Sequence, residues 1–368
     1  MDPRQKIRIA IADDDRLVRK LLSQVLGACP QLELVAQAED GPQALADVDR
    51  LLPEALVLDM EMPGLDGLEV LRVLRRRHPR IKTIIFCSGT ARSATVSTQA
   101  LLEGASDFIL KPSSASLAES RAYLGSQLLP RILELCRPVA PAAPTPGPSP
   151  SWEPRRAVPS AGRAKICCIG ASTGGPRAVE SVLKAFPKDF PLPVLVVVHM
   201  PPIFSRSLAD SLDRACQIRV HEAVQGEPIL PGVAYLAPGD WHMEVDPSGP
   251  PWRLRLGQGP PENSCRPAVD VLFRSAAQAL GQGVLAAVLT GMGRDGTNGS
   301  EAVRRAGGRV LAQDEASSVV WGMPGFVAKA GLAEAVLPLD RIAEAFMQRI
   351  WMPGALAPPP LQAKTEAP

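Results

Sequence analysis

Between Val139 and Arg163 the chain runs through PAAPTPGPSPSWEPRR, where proline repeatedly removes backbone donors and favours extended conformers. No folded layer crosses such a segment, so the 368 residues do not share one core. We place one unit at residues 1–137, a Pro-rich linker at 138–163 and a second unit at 164–352. Trp152, alone in the linker, is not expected to anchor it. The tail at 353–368, including LAPPPLQAKTEAP, has too little apolar content to order and is expected to be disordered.

Both units alternate short apolar runs with amphipathic stretches. In the first, residues 7–12, 32–36, 55–58, 81–87 and 107–110 read as strands, and Leu17, Leu21, Leu22 and Val25 recur at helical spacing between them. In the second, residues 165–169, 194–198, 284–289 and 309–312 read as strands, with a helical pattern at 270–280. Such alternation predicts α/β architecture, with a doubly wound parallel sheet in each unit. The turn-rich stretch from Ile218 to Leu256 is expected to form hairpins inserted at an edge.

Composition narrows the function classes. Hydrophobic residues make up 46% and charged residues 21%, which excludes wholesale disorder and a coiled coil. A net charge of +2 gives no global argument for nucleic acid, and Arg75-Arg76-Arg77 reads as a solvated helix end. The seven cysteines lie mostly in apolar contexts without a CxxC pair, so buried thiols in a reducing compartment are expected, without disulfides or zinc. The amino terminus carries no secretory pattern, and no apolar run reaches the ~20 residues of a membrane helix. A soluble, cytoplasmic protein without membrane insertion is expected.

Ligands of doubly wound sheets sit at the carboxyl ends of the strands. There the first unit places Asp13 and Asp14, Asp59, Ser88 and Lys111, after four different strands. Three converging carboxylates call for a divalent cation, and hard oxygen ligands suit Mg²⁺. A carboxylate so placed can accept a phosphoryl group while a metal and a lysine stabilise its charge. Helix capping by Asp13 and Asp14 is the simpler alternative, but it does not account for the ordered set. Through Asp13-Asp14, LDMEMPGLDG, Ser88-Gly89, GASDF and Lys111-Pro112, residues 6–128 resemble response-regulator receiver domains, which are flavodoxin-like. The resemblance implies Asp59 as phosphoacceptor and Asp13, Asp14, Asp59 and the Glu61 carbonyl as Mg²⁺ ligands. It further implies Ser88 and Lys111 as phosphate sensors and Phe108 as an aromatic switch.

The second unit opens with Gly170-Ala171-Ser172-Thr173-Gly174-Gly175-Pro176 directly after a strand. A serine in a glycine-flanked strand-to-helix turn is exposed beside backbone N–H groups. The glycines match neither common nucleotide-binding spacing, whereas capping by Ser172 stays open on this motif alone. The next strand ends at His199, and a later one leads to Thr290-Gly291-Met292-Gly293-Arg294-Asp295. If these strands are neighbours, Ser172, His199 and Asp295 can form nucleophile, base and orienting carboxylate. His242 competes with His199, and Asp270 and Asp314 compete with Asp295. His78 and His221 are poorer candidates, His221 because it is expected to face solvent.

Residues 166–337, through GASTGGP, HMPPIFSRSLADSLDR, YLAPGDWHM, LTGMGRDG and AQDEASSVVWGMP, resemble the catalytic domain of chemotaxis response regulator protein-glutamate methylesterases. Val198 stands where members often have glutamine, and Ser205 where threonine is common. The resemblance implies a Rossmann-like hydrolase domain with Ser172, His199 and Asp295 as the triad. It also implies that Thr173 and backbone donors near Met292 support the oxyanion, and that the catalytic unit carries no cofactor. The implied reaction is hydrolysis of glutamate methyl esters on chemoreceptors, often with deamidation of receptor glutamines, and a chemotaxis histidine kinase is the implied phosphodonor. Two rivals are a methylesterase of a non-chemotaxis pathway and a non-catalytic receiver output. A DNA-binding output is disfavoured, because no basic helix-turn-helix pattern follows the linker.

Overall fold

The computed structural model describes residues 6–114, 116–137 and 164–351, so the linker with Trp152 and the tail lie outside the described residues. The first unit is a five-stranded sheet of β1 (Ile7–Ala12), β2 (Leu32–Ala38), β3 (Ala55–Asp59), β4 (Lys82–Cys87) and β5 (Asp107–Leu110), ordered β2-β1-β3-β4-β5. Every pairing is parallel. The helices α1 (Arg16–Gly27), α2 (Gly41–Leu51), α3 (Gly67–Arg77) and α4 (Ala91–Leu102) supply the crossovers, and α5 (Leu117–Leu135) follows β5. Strand β3 is buried along its whole length, as a central strand covered on both faces must be.

Local chemistry sets where these helices start. Asp15 caps α1 by accepting from the Leu17 and Val18 N–H groups, which leaves Asp13 and Asp14 free of that role. Asp66 and Glu69 form a reciprocal capping box at α3. The end of α3 differs from the expected solvated arginine run. Arg75 folds back to donate to the Ile81 carbonyl and the Thr83 hydroxyl, while Arg76 and Arg77 stay exposed.

The second unit holds a seven-stranded parallel sheet ordered β14-β13-β12-β6-β7-β9-β8. Its strands are β6 (Ile166–Ala171), β7 (Val194–Val198), β8 (Arg219–Glu222), β9 (Val233–Leu236), β12 (Val284–Val288), β13 (Arg309–Gln313) and β14 (Ala335–Leu337). The helices are α6 (Gly175–Lys184), α7 (Pro202–Ala215), α8 (Val269–Leu280), α9 (Thr297–Arg305), α10 (Met323–Lys329) and α11 (Leu339–Trp351). The expected edge hairpins are only partly present. Strands β10 (His242–Val245) and β11 (Leu254–Gly257) pair antiparallel, but β8 and β9 extend the main sheet in parallel.

Strand β6 is central, with β7 on one side and β12 on the other, so the chain reverses direction of winding beside it. That is the switch point at which doubly wound sheets open a crevice. The apolar stripe Ala178, Val179, Val182 and Leu183 seats α6 on the sheet, with Arg177 and Lys184 turned to solvent.

The two units touch. Helix α4 packs on α6 and α7, and Phe108 of β5 stacks on Phe204 of α7 with ring centroids 4.6 Å apart. Val320, from the loop after β13, is buried in the same apolar cluster as Leu124 and Leu128 of α5.

Candidate active site and phosphoacceptor site

Ser172, His199 and Asp295 follow the carboxyl ends of β6, β7 and β12, three adjacent strands. Backbone bonds tie these ends together. The His199 N–H donates to the Ala171 carbonyl at 3.2 Å and the Ser172 N–H to the Thr290 carbonyl at 3.0 Å. The turn after Ser172 depends on glycine. Gly174, at φ +74°, is the residue before α6 and no side chain caps that helix, so Ser172 is not a cap. Gly291 abuts the serine, since a Cβ there would lie 2.8 Å from Ser172 Cβ.

Asp295 is 2% exposed and accepts at both oxygens. Oδ2 accepts from His199 Nε2 at 2.8 Å and the Val269 N–H at 2.7 Å; Oδ1 accepts from the Asp270 and Gly296 N–H groups and Asn263 Nδ2. The first N–H groups of α8 thus point at this carboxylate, a helix terminus holding an anion. Burial alone would raise the Asp295 pKa, but the His199 bond and charge, with the α8 N–H groups, hold it below the usual carboxylate value. Burial would lower the His199 pKa, but the bonds to Asp295 and Cys265 raise it to about 9.

With Nε2 given to Asp295, Nδ1 is the ring nitrogen of His199 that remains to exchange a proton with a serine. It lies 3.4 Å from the Cys265 sulfur, and the Ser172 hydroxyl makes no hydrogen bond among the described residues. Neither the Thr173 nor the Met292 backbone N–H donates to a partner among the described residues. Two such donors flanking a serine are what an oxyanion would need.

The competing residues have other tasks. His242 accepts the Ala268 N–H at Nδ1, so its Nε2 donates to the Pro260 carbonyl, and it fastens the loop leading to α8. His221, expected to face solvent, is partly exposed, pairs with Glu227 and packs edge-on against Tyr235. His78 pairs with Asp49 in the receiver unit, remote from β6. Asp270 does not cap α8, as Asp295 takes that place; its carboxylate receives the Gly299 N–H and Asn263 Nδ2. Asp314 binds Ser317 in its own turn. Ser205 is fully buried and joins Glu222 and Gly239, so it orders the β8 edge. Asn263 was not foreseen, because a polar residue in a turn-rich loop gives no sign of what it reaches.

In the first unit Asp13, Asp14 and Asp59 each bring a carboxylate oxygen within 4.8 Å of the others, an all-oxygen set that fits a hard divalent cation. Lys111 Nζ lies 2.9 Å from Asp13 and 2.8 Å from Asp59. Burial drives the Asp13 pKa up to about 6 and that of Asp59 upward, against the opposing pull of Lys111. Glu61 follows, its N–H donating to Asp59 at 3.2 Å, and Ser88 bonds Thr90 at the end of β4.

Both units are similar to known proteins. The CheB methylesterase model matches residues 167–346, and the response regulator receiver domain model matches residues 9–121. A protein-glutamate methylesterase/protein-glutamine glutaminase of Nocardioides sp. is 45% identical, covering 94% of this chain and 95% of that protein. One of the same name from Trichodesmium erythraeum is 43% identical, covering 94% of this chain and 99% of that protein. The chain belongs to the CheB methylesterase family. The crystal structure of the Thermotoga maritima CheB methylesterase catalytic domain is 42% identical, with a TM-score of 0.50, covering 51% of this chain and 99% of that one. In this chain the receiver unit reaches the serine loop directly. The Thr173 hydroxyl donates to Asp107 at 2.6 Å, the Gly174 N–H donates to the Ser106 carbonyl at 3.1 Å, and Arg131 pairs with Asp107 at 3.3 Å. Two open clefts, of about 910 and 540 Å³, lie between the units, yet neither is lined by Ser172, His199 or Asp295. Cleft size therefore does not point to the chemistry named here.

Proposed function

We propose that this chain hydrolyses γ-glutamyl methyl esters of chemoreceptors and releases methanol, with Ser172 as nucleophile, His199 as base and Asp295 as the carboxylate that orients it. The observation that carries this reading is the Asp295–His199 bond of 2.8 Å beside a serine at the sheet's switch point. Ser172 attacks the ester carbonyl, and His199 takes the hydroxyl proton at Nδ1. The N–H groups of Thr173 and Met292 receive the oxyanion. As the ester C–O bond breaks, His199 returns the proton to the departing methoxide oxygen to give methanol, and water releases the acyl group by the same route. Receptor glutamines present an amide to the same serine, which makes deamidation the companion reaction.

Asp59 is the phosphoacceptor in this reading, with a histidine kinase of the chemotaxis pathway as donor. Asp13, Asp14, Asp59 and the Glu61 carbonyl would hold Mg²⁺, which supplies charge neutralisation for phosphoryl transfer. Lys111 and Ser88 then meet the phosphoryl oxygens. Drawing Lys111 and the β4–β5 end towards the phosphoryl group biases Phe108 away from Phe204 and loosens the contact of Asp107 with Thr173. The protein works in the cytoplasm; among the described residues no helix is long and apolar enough to cross a membrane.

The test is Ser172→Ala, assayed for methanol release from methylated receptor membranes. The expected outcome is loss of release with an unchanged circular dichroism spectrum; full activity would refute the assignment.

A further inference from the structure

The turn that carries Cys265 is built to hold a thiol against His199. The Glu262 N–H donates to the Cys265 carbonyl and the Cys265 N–H to the Glu262 carbonyl, closing a two-residue turn. Asn263 and Ser264 sit at its tip with φ of 51° and 63°. Asn263 Nδ2 is pinned to Asp270 and Asp295, and Glu262 is clamped by both terminal nitrogens of Arg274. Arg266, on the other side, is fixed by Asp240. The sulfur emerges from this frame 3.4 Å from His199 Nδ1, and the residue is partly exposed.

We propose that Cys265 and His199 form a thiol–imidazole pair that is a covalent modification site for small soft electrophiles, and that its modification silences the esterase. The inference rests on the reading of His199 as the base. In its neutral form the imidazole accepts the thiol proton at Nδ1 as sulfur attacks the electrophile. With iodoacetamide, a carbon–sulfur bond forms, the carbon–iodine bond breaks, and iodide leaves. The thioether then has no proton to return and occupies the side of the ring to which Ser172 must deliver its own. Other thiols of the chain lack this arrangement. Burial raises the thiol pKa to about 11 for Cys87 and Cys216 and about 12 for Cys136, and it raises those of Cys167 and Cys168 as well. Cys29, partly buried in the receiver and without an imidazole contact among the described residues, is the internal reference.

The experiment treats the full chain with iodoacetamide and follows Cys265 and Cys29 by peptide mass spectrometry, with methanol release measured in parallel. Cys265 is expected to react about tenfold faster than Cys29, and release should fall in proportion to Cys265 occupancy. His199→Gln, or Asp295→Asn should the first not fold, is expected to bring Cys265 down towards the Cys29 rate. Cys265→Ser should show the same release with and without reagent. Release that persists at full Cys265 occupancy, or a Cys265 rate unaffected by loss of the imidazole, overturns the proposal. Ser172→Ala separates this inference from the esterase reading: its Cys265 is expected to react at the wild-type rate although it has no release to lose, and a slow rate there counts against the thiol site alone.

Discussion

At the scale of single residues, the pair His199–Asp295 does most to define the site. Its histidine is held at a pKa of about 9 in the docked state, so the neutral base becomes available only as the pH climbs towards that value. Methanol release is therefore expected to rise with pH across the neutral range, and Asp295→Asn should move that rise to lower pH while cutting the rate by about 10³–10⁴-fold. A stopped-time assay across pH checks both; an unmoved profile in the variant contradicts the account. The sign for stability is the reverse. A histidine whose folded pKa exceeds its ordinary 6.5 stabilises the fold fully below 6.5, and that contribution fades as pH rises to about 9. The urea midpoint should fall across that window and fall less in Asp295→Asn. Strand ends and glycine turns pointed to Ser172, His199 and Asp295 in the sequence. They could not point to Asn263 and Cys265, which reach the site from a turn remote along the chain and carry no periodic pattern.

At the scale of elements, the interface depends on β5 and α7. The Phe108–Phe204 stack is of a kind worth about 0.5–1.5 kcal/mol, which corresponds to a shift of about 2–10-fold between docked and open populations. Phe108→Ala is accordingly expected to raise unstimulated methanol release by about that factor and to flatten the response to phosphodonor. A lower unstimulated rate would count against it. The buried strands β3, β6, β7 and β12 were legible as apolar runs because parallel strands covered on both faces must be apolar throughout. The edge strands were not. Strand β8 reads RVHE, with three of its four residues polar, and β14 has three residues, so neither gives a run to detect. Turn residues around β8 and β9 suggested hairpins, but strand direction is decided by the connections through α7 and through residues 223–232, which turns do not encode.

At the scale of the molecule, two sheets each legible from their own pattern meet at a surface that neither pattern describes. Thr173 and Gly174 donate to Asp107 and Ser106, and the sequence separation of these partners hides the contact. A fragment beginning at residue 138 loses these acceptors, and its unstimulated release per mole should exceed that of the full chain; an equal or lower rate in soluble fragment would argue against occlusion. Chelating Mg²⁺ should abolish stimulation by phosphodonor without affecting the fragment. The most direct measurement is methanol release from methylated receptor membranes by the full chain, with and without a small-molecule phosphodonor, in wild type and Asp59→Asn. The account predicts stimulation in wild type and none in the variant, which should still retain its unstimulated rate. Equal stimulation of both, or none in either, would contradict a receiver that governs this esterase through Asp59.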